Sequence, residues 1–155
     1  MVKLSQILDP KCVKLNLTSK RKKDAIQEMV DLLYRAGKIK NPQEVQEALI
    51  QREKMGTTGI GGGIAIPHIM MREISRTVMA FGRRREGVRF DSIDEEPVNL
   101  VFLLVGPRQD AGLHLKILCR LSRFLHNTRF KKALLEAEEG EEVIRIFEHQ
   151  EEKEG

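Results

Sequence analysis

Apolar positions recur along the chain with two different spacings, and the switches between them divide it into elements. Val13, Leu15 and Leu17 alternate with polar neighbours and predict a short strand over 13–17. From 20 to 36 the spacing is helical, placing Ala25, Ile26, Met29, Val30, Leu32 and Leu33 on one face. Thr18 or Ser19 is placed to cap that helix and Gly37 to stop it. Asn41-Pro42 predicts the start of a second helix, which carries Val45, Ala48, Leu49 and Arg52. Two strands are predicted over 77–83 and 98–105, with turn-forming Gly87, Asp91 and Pro97 between them. The run Leu100–Val105 is apolar throughout, so both faces of that strand require cover. Further helices are predicted over 111–125, from a Thr128 cap to Ala137, and over 141–148. The order implies an α/β sandwich, a mixed sheet flanked by helices on both faces rather than a regular βαβ repeat. Residues 1–148 then form one domain, and the acidic segment 149–155 is expected to fray.

Length and composition sharpen this picture. A chain of 155 residues suits one domain and buries a sizeable core. With 41% hydrophobic and 32% charged residues it falls outside the disordered, collagen-like and membrane-embedded classes. The N-terminal residues contain no signal-peptide core, and the longest apolar run is far short of a membrane span. Two distant cysteines, Cys12 and Cys119, fit a reducing cytoplasm and have no metal-ligand spacing. Cys119 and His126 lack further ligands for zinc, so no metal or other cofactor is expected. Charge is uneven. Residues 136–155 hold nine Glu against Arg145 and Lys153, whereas residues 1–135 hold 25 Lys/Arg against 14 Asp/Glu. So basic a body raises a nucleic-acid-binding module as one reading. Against it, aromatics are only 5%, with no Trp and one Tyr, which leaves few stacking platforms. The runs Arg21-Lys22-Lys23, Arg83-Arg84-Arg85 and Lys131-Lys132, together with Glu53 and Lys54, read as solvated faces.

The most unusual segment is Gly56-Thr57-Thr58-Gly59-Ile60-Gly61-Gly62-Gly63, with five glycines in eight residues. Glycine packs poorly and costs backbone entropy, so such density suits a tight turn or a backbone presenting N–H groups to an anion. No Lys-Ser/Thr follows as a P-loop needs, and Ile64 and Ile66 occupy the third-glycine places of a dinucleotide fingerprint. Pro67 stiffens the approach to His68, a candidate nucleophile. His114 falls in the first turn of a predicted helix, which disfavours imidazolium and favours anions nearby. Arg52 offers a planar fork for phosphate. Taken singly, each of these residues also suits an ordinary surface or packing role.

Together they carry a resemblance. Glu53, Ile60, Gly61, Ile64, Ala65, Ile66, Pro67 and His68 stand in the order of the phosphorylation-site motif of bacterial phosphotransferase system IIA domains of the fructose/mannitol type, spread over sixteen residues. Leu4–Leu8, Arg52–Gly56, Pro97–Phe102 and His114-Leu115 resemble the nitrogen-regulatory branch of that family. The resemblance implies the fold already read, and a phosphocarrier. His68 would accept a phosphoryl group on Nε2 from a phosphorylated HPr-type protein. His114 would hydrogen-bond the phosphate, Arg52 would stabilise it, and Thr57, Thr58, Gly59 and Gly61 would supply hydroxyl and amide donors. Two positions depart from the pattern. Ile69 stands where a small residue follows the histidine, and Gly62 stands where sugar-transporting relatives carry a Glu that orients it. A backbone carbonyl could fix the tautomer instead.

The leading expectation is therefore a nitrogen-type regulatory IIA protein: cytoplasmic, free-standing and signalling to downstream protein targets by its phosphorylation state. The alternative is a sugar-specific IIA component passing phosphate to a IIB domain. Neither involves membrane insertion.

Overall fold

The structure, a computed structural model, describes residues 2–154. A short helix, α1 (Leu4–Ile7), leads into strand β1 (Leu8–Lys14). Helices α2 (Lys22–Arg35) and α3 (Pro42–Lys54) follow. Three short strands, β2 (Gly59–Gly61), β3 (Ile64–Ala65) and β4 (His68–Met71), come next. Two long strands, β5 (Val78–Val88) and β6 (Val98–Pro107), form the centre of the sheet. A 3-10 turn at Arg108–Asp110 opens α4 (Ala111–Leu125), and α5 (Thr128–Glu136) and α6 (Gly140–Glu154) end the chain.

One mixed sheet orders the strands β1-β5-β6-β3-β2, with β4 also paired to β6. β1 runs parallel to β5, β5 antiparallel to β6, and β3 and β4 both parallel to β6. Its two faces are covered by different helices. Phe81 and Phe102 are cross-strand neighbours, and Phe102 meets Phe147 of α6 edge-on in an aromatic cluster with Phe124 of α4 and Phe130 of α5. The next residue, Gly82, faces the other way, where a Cβ would lie 2.7 Å from Leu17 and 3.0 Å from Met29 of α2. The run Leu100–Val105 is buried throughout, as its composition required.

Several boundaries differ from expectation, each for a physical reason. The first strand covers Leu8–Lys14 rather than 13–17, because Leu8 and Cys12 are its buried residues and Leu8 opposes Met79. Thr18 and Ser19 do not cap α2, whose N-cap is Arg21; both donate to the carboxylate of Glu28, which also pairs with Lys14 at 2.6 Å. Burial would raise that carboxyl, but Lys14 and the Ser19 and Thr18 donors outweigh it and hold it at about 2. Pro42 sits at the start of α3 as expected, though Asn41 makes no side-chain cap. The cap of α5 is Asn127, not Thr128; its side chain accepts from Arg129 and Phe130. β5 continues five residues past Arg83, with a register shift before Val88, so Gly87 lies inside an irregular strand rather than a loop.

The C-terminal segment expected to fray is helical through Glu154. Gln150 and Glu151 are buried, and Glu151 accepts from both the amide and the hydroxyl of Ser5. Two presumed surface charges are also internal. Glu53 is buried in a network described below. Arg83 is 3% exposed and directs its guanidinium at the carbonyls of Leu134, Leu135 and Ala137 and of Leu15. Among the described residues no helix is long and apolar enough to cross a membrane, and no group of three or more His, Cys, Asp or Glu could hold a metal ion.

Candidate functional site

Residues 64–71 form one broken strand along β6. Ile64 and Ala65 pair with Leu100 and Val101, and His68–Met71 pair with Leu104–Pro107. The break is Pro67, which has no N–H to give the ladder but accepts from the Leu104 amide through its carbonyl at 2.9 Å. The ladder on either side thus fixes the backbone of His68. Its imidazole turns back on the chain, with Nδ1 2.7 Å from the carbonyl oxygen of Ile66. A carbonyl can only accept, so Nδ1 carries the proton and the neutral ring keeps its lone pair on Nε2. The orienting group left open by Gly62 is therefore a backbone carbonyl two residues upstream. Gly62 itself is elsewhere, in the β2–β3 turn at φ +65°, with its N–H on Asp94 and its carbonyl on Lys131.

Asp110 caps α4 by accepting from the Leu113 amide, and this start sets His114 in the first turn. The rings of His68 and His114 lie 5.6 Å apart between centroids. His114 is buried, and neither of its ring nitrogens has a hydrogen-bond partner among the described residues. Burial, helped by the nearby His68, lowers its pKa, so it is neutral near pH 7. A buried imidazole with two unmet nitrogens is costly unless something supplies the missing partners.

Arg52, near the end of α3, completes the set. It donates one bond to the carbonyl of Gly56 at 2.9 Å and lines the same open cleft as His68 and His114. That cleft has a volume of about 1020 Å³. Ile69 forms part of its wall but is only 9% exposed and pairs with Val105 in the ladder, so it does not stand as a bulky obstacle over His68. Two further arginines that motif reasoning passed over, Arg72 and Arg108, also line the cleft. A signal for each was present. Arg72 lies two strand periods after His68, and Arg108 directly follows the β6 run that ends beside it.

The four donors expected from the glycine segment are not gathered here. Thr57, Thr58, Gly59 and Gly61 lie outside the cleft, and their polar groups are spent on the protein itself. Thr58 is buried and gives its amide and hydroxyl to Glu53. Thr57 Oγ1 donates to the Phe90 carbonyl and accepts from the Gly59 amide and from Lys22. The Gly61 amide donates to Ser92. Lys22 pairs with Glu53 at 3.0 Å, which fastens the segment to α2 and α3. The glycines serve geometry instead: Gly61, Gly62 and Gly63 all have φ between +65° and +94°, and at Gly59 a Cβ would collide with Ser92.

Comparison with known proteins accords with this arrangement. The family model described as phosphoenolpyruvate-dependent sugar phosphotransferase system, EIIA 2, matches residues 6–150. The chain is 40% identical over 146 residues to the PTS system fructose-specific EIIABC component of Bacillus subtilis, covering 94% of this chain but only 23% of that protein's length. It is 35% identical over 147 residues to the nitrogen regulatory protein of Escherichia coli, covering 94% of this chain and 90% of that one. The crystal structure of nitrogen regulatory protein IIA-Ntr from Neisseria meningitidis matches with a TM-score of 0.86 and 34% identity, over 93% of this chain and 98% of the other.

Proposed function

This chain belongs to the EIIA 2 family of the phosphoenolpyruvate-dependent sugar phosphotransferase system, and from that premise we propose that it carries a phosphoryl group on Nε2 of His68, with His114 and Arg52 as its binding partners. The observation that carries the reading is the pairing of complementary deficits. Nε2 of His68 has a free lone pair aimed away from its Ile66 tether, while buried His114 beside it lacks hydrogen-bond partners.

The step balances without a proton leaving the site. The Nε2 lone pair of His68 attacks the phosphorus of a phosphorylated HPr-type donor. A new N–P bond forms, and the donor's N–P bond breaks with its electron pair returning to the donor imidazole. The proton on Nδ1 stays hydrogen-bonded to Ile66 throughout, where it shares the positive charge that develops on the ring. Catalysis is then positioning and charge stabilisation of the equatorial oxygens. Neutral His114 donates one N–H to them, and Arg52 supplies a guanidinium. The size and openness of the cleft suit the face of a protein donor, and Met55 and Leu115, 84% and 61% exposed, stand at its rim as apolar contacts. A cytoplasmic site of action belongs to this reading.

As to what the carrier serves, the match to the IIA-Ntr structure along nearly the full length of both chains supports a nitrogen-type regulatory role. The fructose-specific relative at 40% identity supports transfer to a IIB domain as the second reading. Incubation with a phosphorylated HPr-type donor carrying labelled phosphate should give an acid-labile, base-stable label that vanishes in His68→Ala. Equal labelling of that variant overturns the site. Chasing the label with a purified fructose-type IIB domain separates the two roles: rapid discharge marks the sugar component, and retention marks the regulator.

A further inference from the structure

Three buried polar atoms without hydrogen-bond partners converge behind the site: Nδ1 and Nε2 of His114 and Oγ1 of Thr77. The first and last of the three face the same glycine. From the point where a Cβ on Gly106 would sit, His114 Nδ1 is 2.8 Å away and Thr77 Oγ1 is 3.3 Å away. Gly106 lies in β6 beside Met70, and Thr77 immediately precedes β5, whose Val78 opposes Val105. The imidazole of His114 thus lies over a strand position kept bare of a side chain, and its Nδ1 and the Thr77 hydroxyl both border that bare position.

We propose that Thr77 is a positioning residue whose hydroxyl serves Nδ1 of His114 as donor, after a side-chain adjustment across Gly106 or through one enclosed water, and thereby holds His114 in the Nε2–H form that donates to the phosphoryl group. This rests on the reading of His68 as phosphoryl acceptor and deepens it. The two histidines then owe opposite tautomers to opposite neighbours. At His68 the group facing Nδ1 is a carbonyl, which forces a proton onto Nδ1 and leaves Nε2 nucleophilic. At His114 the group across Gly106 is a hydroxyl whose proton has no other partner among the described residues, so the arrangement that satisfies both atoms has it donate to Nδ1, leaving the single N–H of the neutral ring on Nε2. A phosphoryl oxygen accepts and never donates, so this is the only neutral form of His114 that can serve it through Nε2. Two orphaned atoms on one face satisfy each other, and the third is left for the ligand.

The test is Thr77→Val, which keeps the shape and removes the hydroxyl, with Thr77→Ser as the rescue. The His114 tautomer is read by ¹⁵N–¹H long-range correlation spectra of the unphosphorylated protein at neutral pH, and transfer by stopped-flow labelling from the phosphorylated donor. Wild type and Thr77→Ser should show the Nε2–H form. Thr77→Val should lose that preference, with the Nδ1–H form appearing, and should accept phosphate roughly five- to tenfold more slowly, the scale of one hydrogen bond. If Thr77→Val does not fold, Thr77→Ala carries the same readouts. An unchanged His114 tautomer in the folded variant overturns the proposal. That measurement needs no phosphotransfer, so it stands apart from failure of His68 as acceptor, which would show as an unlabelled wild type.

Discussion

Glu53 shows how one residue ties the recognition segment to the fold. Its carboxylate takes the Thr58 amide at 3.0 Å, the Thr58 hydroxyl and the Lys22 ammonium, with almost no exposure to water. Removing one partner from a buried ion pair leaves the other charge stranded, a loss of about 3–5 kcal/mol. Glu53→Ala should therefore lower stability on that scale in urea unfolding, while Lys54→Ala, one residue on and exposed, should cost less than about 0.5 kcal/mol. Equal effects would remove the network from the account. Glu28 gives a pH-dependent counterpart. Its carboxyl is held at about 2 in the folded protein against an ordinary 4.5. The unfolded chain therefore binds the extra proton first, so the contribution of Glu28 is complete above about 4.5 and fades as pH falls toward 2. Acid titration of stability should show this loss shrink in Glu28→Gln. Pro67-His68 and the helix-start position of His114 were legible because local sequence alone determines them. The burial of Glu53 was not, because it depends on Lys22, a residue 31 positions away whose approach only the packing of α2 on α3 creates.

At the scale of elements, helix ends decide what the sequence pattern could show. The C-terminus of α5 leaves carbonyls that water would normally satisfy, and here Arg83 from β5 takes three of them, complementing the helix dipole. Burial lowers the pKa of Arg83, with Arg85 adding to the effect, yet the guanidinium stays charged. Arg83→Met should lower stability by about 2–4 kcal/mol, since several buried acceptors lose a charged donor together; a loss below about 1 kcal/mol would mean that water replaces it. From the sequence, Arg83 looked like the start of a basic run because Arg84 and Arg85 follow it; alternation puts it on the same face as Phe81, and the carbonyls ending α5 hold it inside. The helical period placed α4 at its observed bounds, since fifteen residues of amphipathic sequence and an Asp110 cap leave little choice. It stopped α6 short at Glu148, because Gln150 and Glu151 are buried by pairing with Asn127 and Ser5 rather than by apolar character. Between strand and helix, Gly106 is the clearance for the His114 ring. Gly106→Ala leaves the backbone unstrained but places a methyl 2.8 Å from Nδ1, so the ring must move. The variant should fold yet transfer phosphate slowly, with a displaced His114 resonance.

For the whole molecule, the question is what a phosphoryl group does to a site that is incomplete without it. The cleft gathers Arg52, Arg72 and Arg108 against Glu73, beside a buried neutral imidazole with unmet nitrogens. Phosphorylation adds about −1.5 to −2 charges and three acceptor oxygens. In the unfolded chain those oxygens meet only water. In the folded protein the proposed site offers them an N–H of His114 and a guanidinium already tethered to Gly56, so on that reading little ordering remains to be done. Groups preorganised for an anion favour the state that holds them together, and the modified protein should be more stable than the unmodified one. Two charge-assisted hydrogen bonds net of desolvation correspond to about 1–3 kcal/mol, or roughly 2–12 °C in melting temperature for a domain of this size. Scanning calorimetry on protein freshly phosphorylated by an HPr-type donor reads this directly, with acid-hydrolysed protein as the reference. The gain should fall in His114→Ala and in Arg52→Ala and be lost in the double variant. A phosphorylated wild type that melts at or below the unmodified protein would show that His114 and Arg52 do not receive the phosphate. It would also leave Nε2 of His114 without the partner proposed for it.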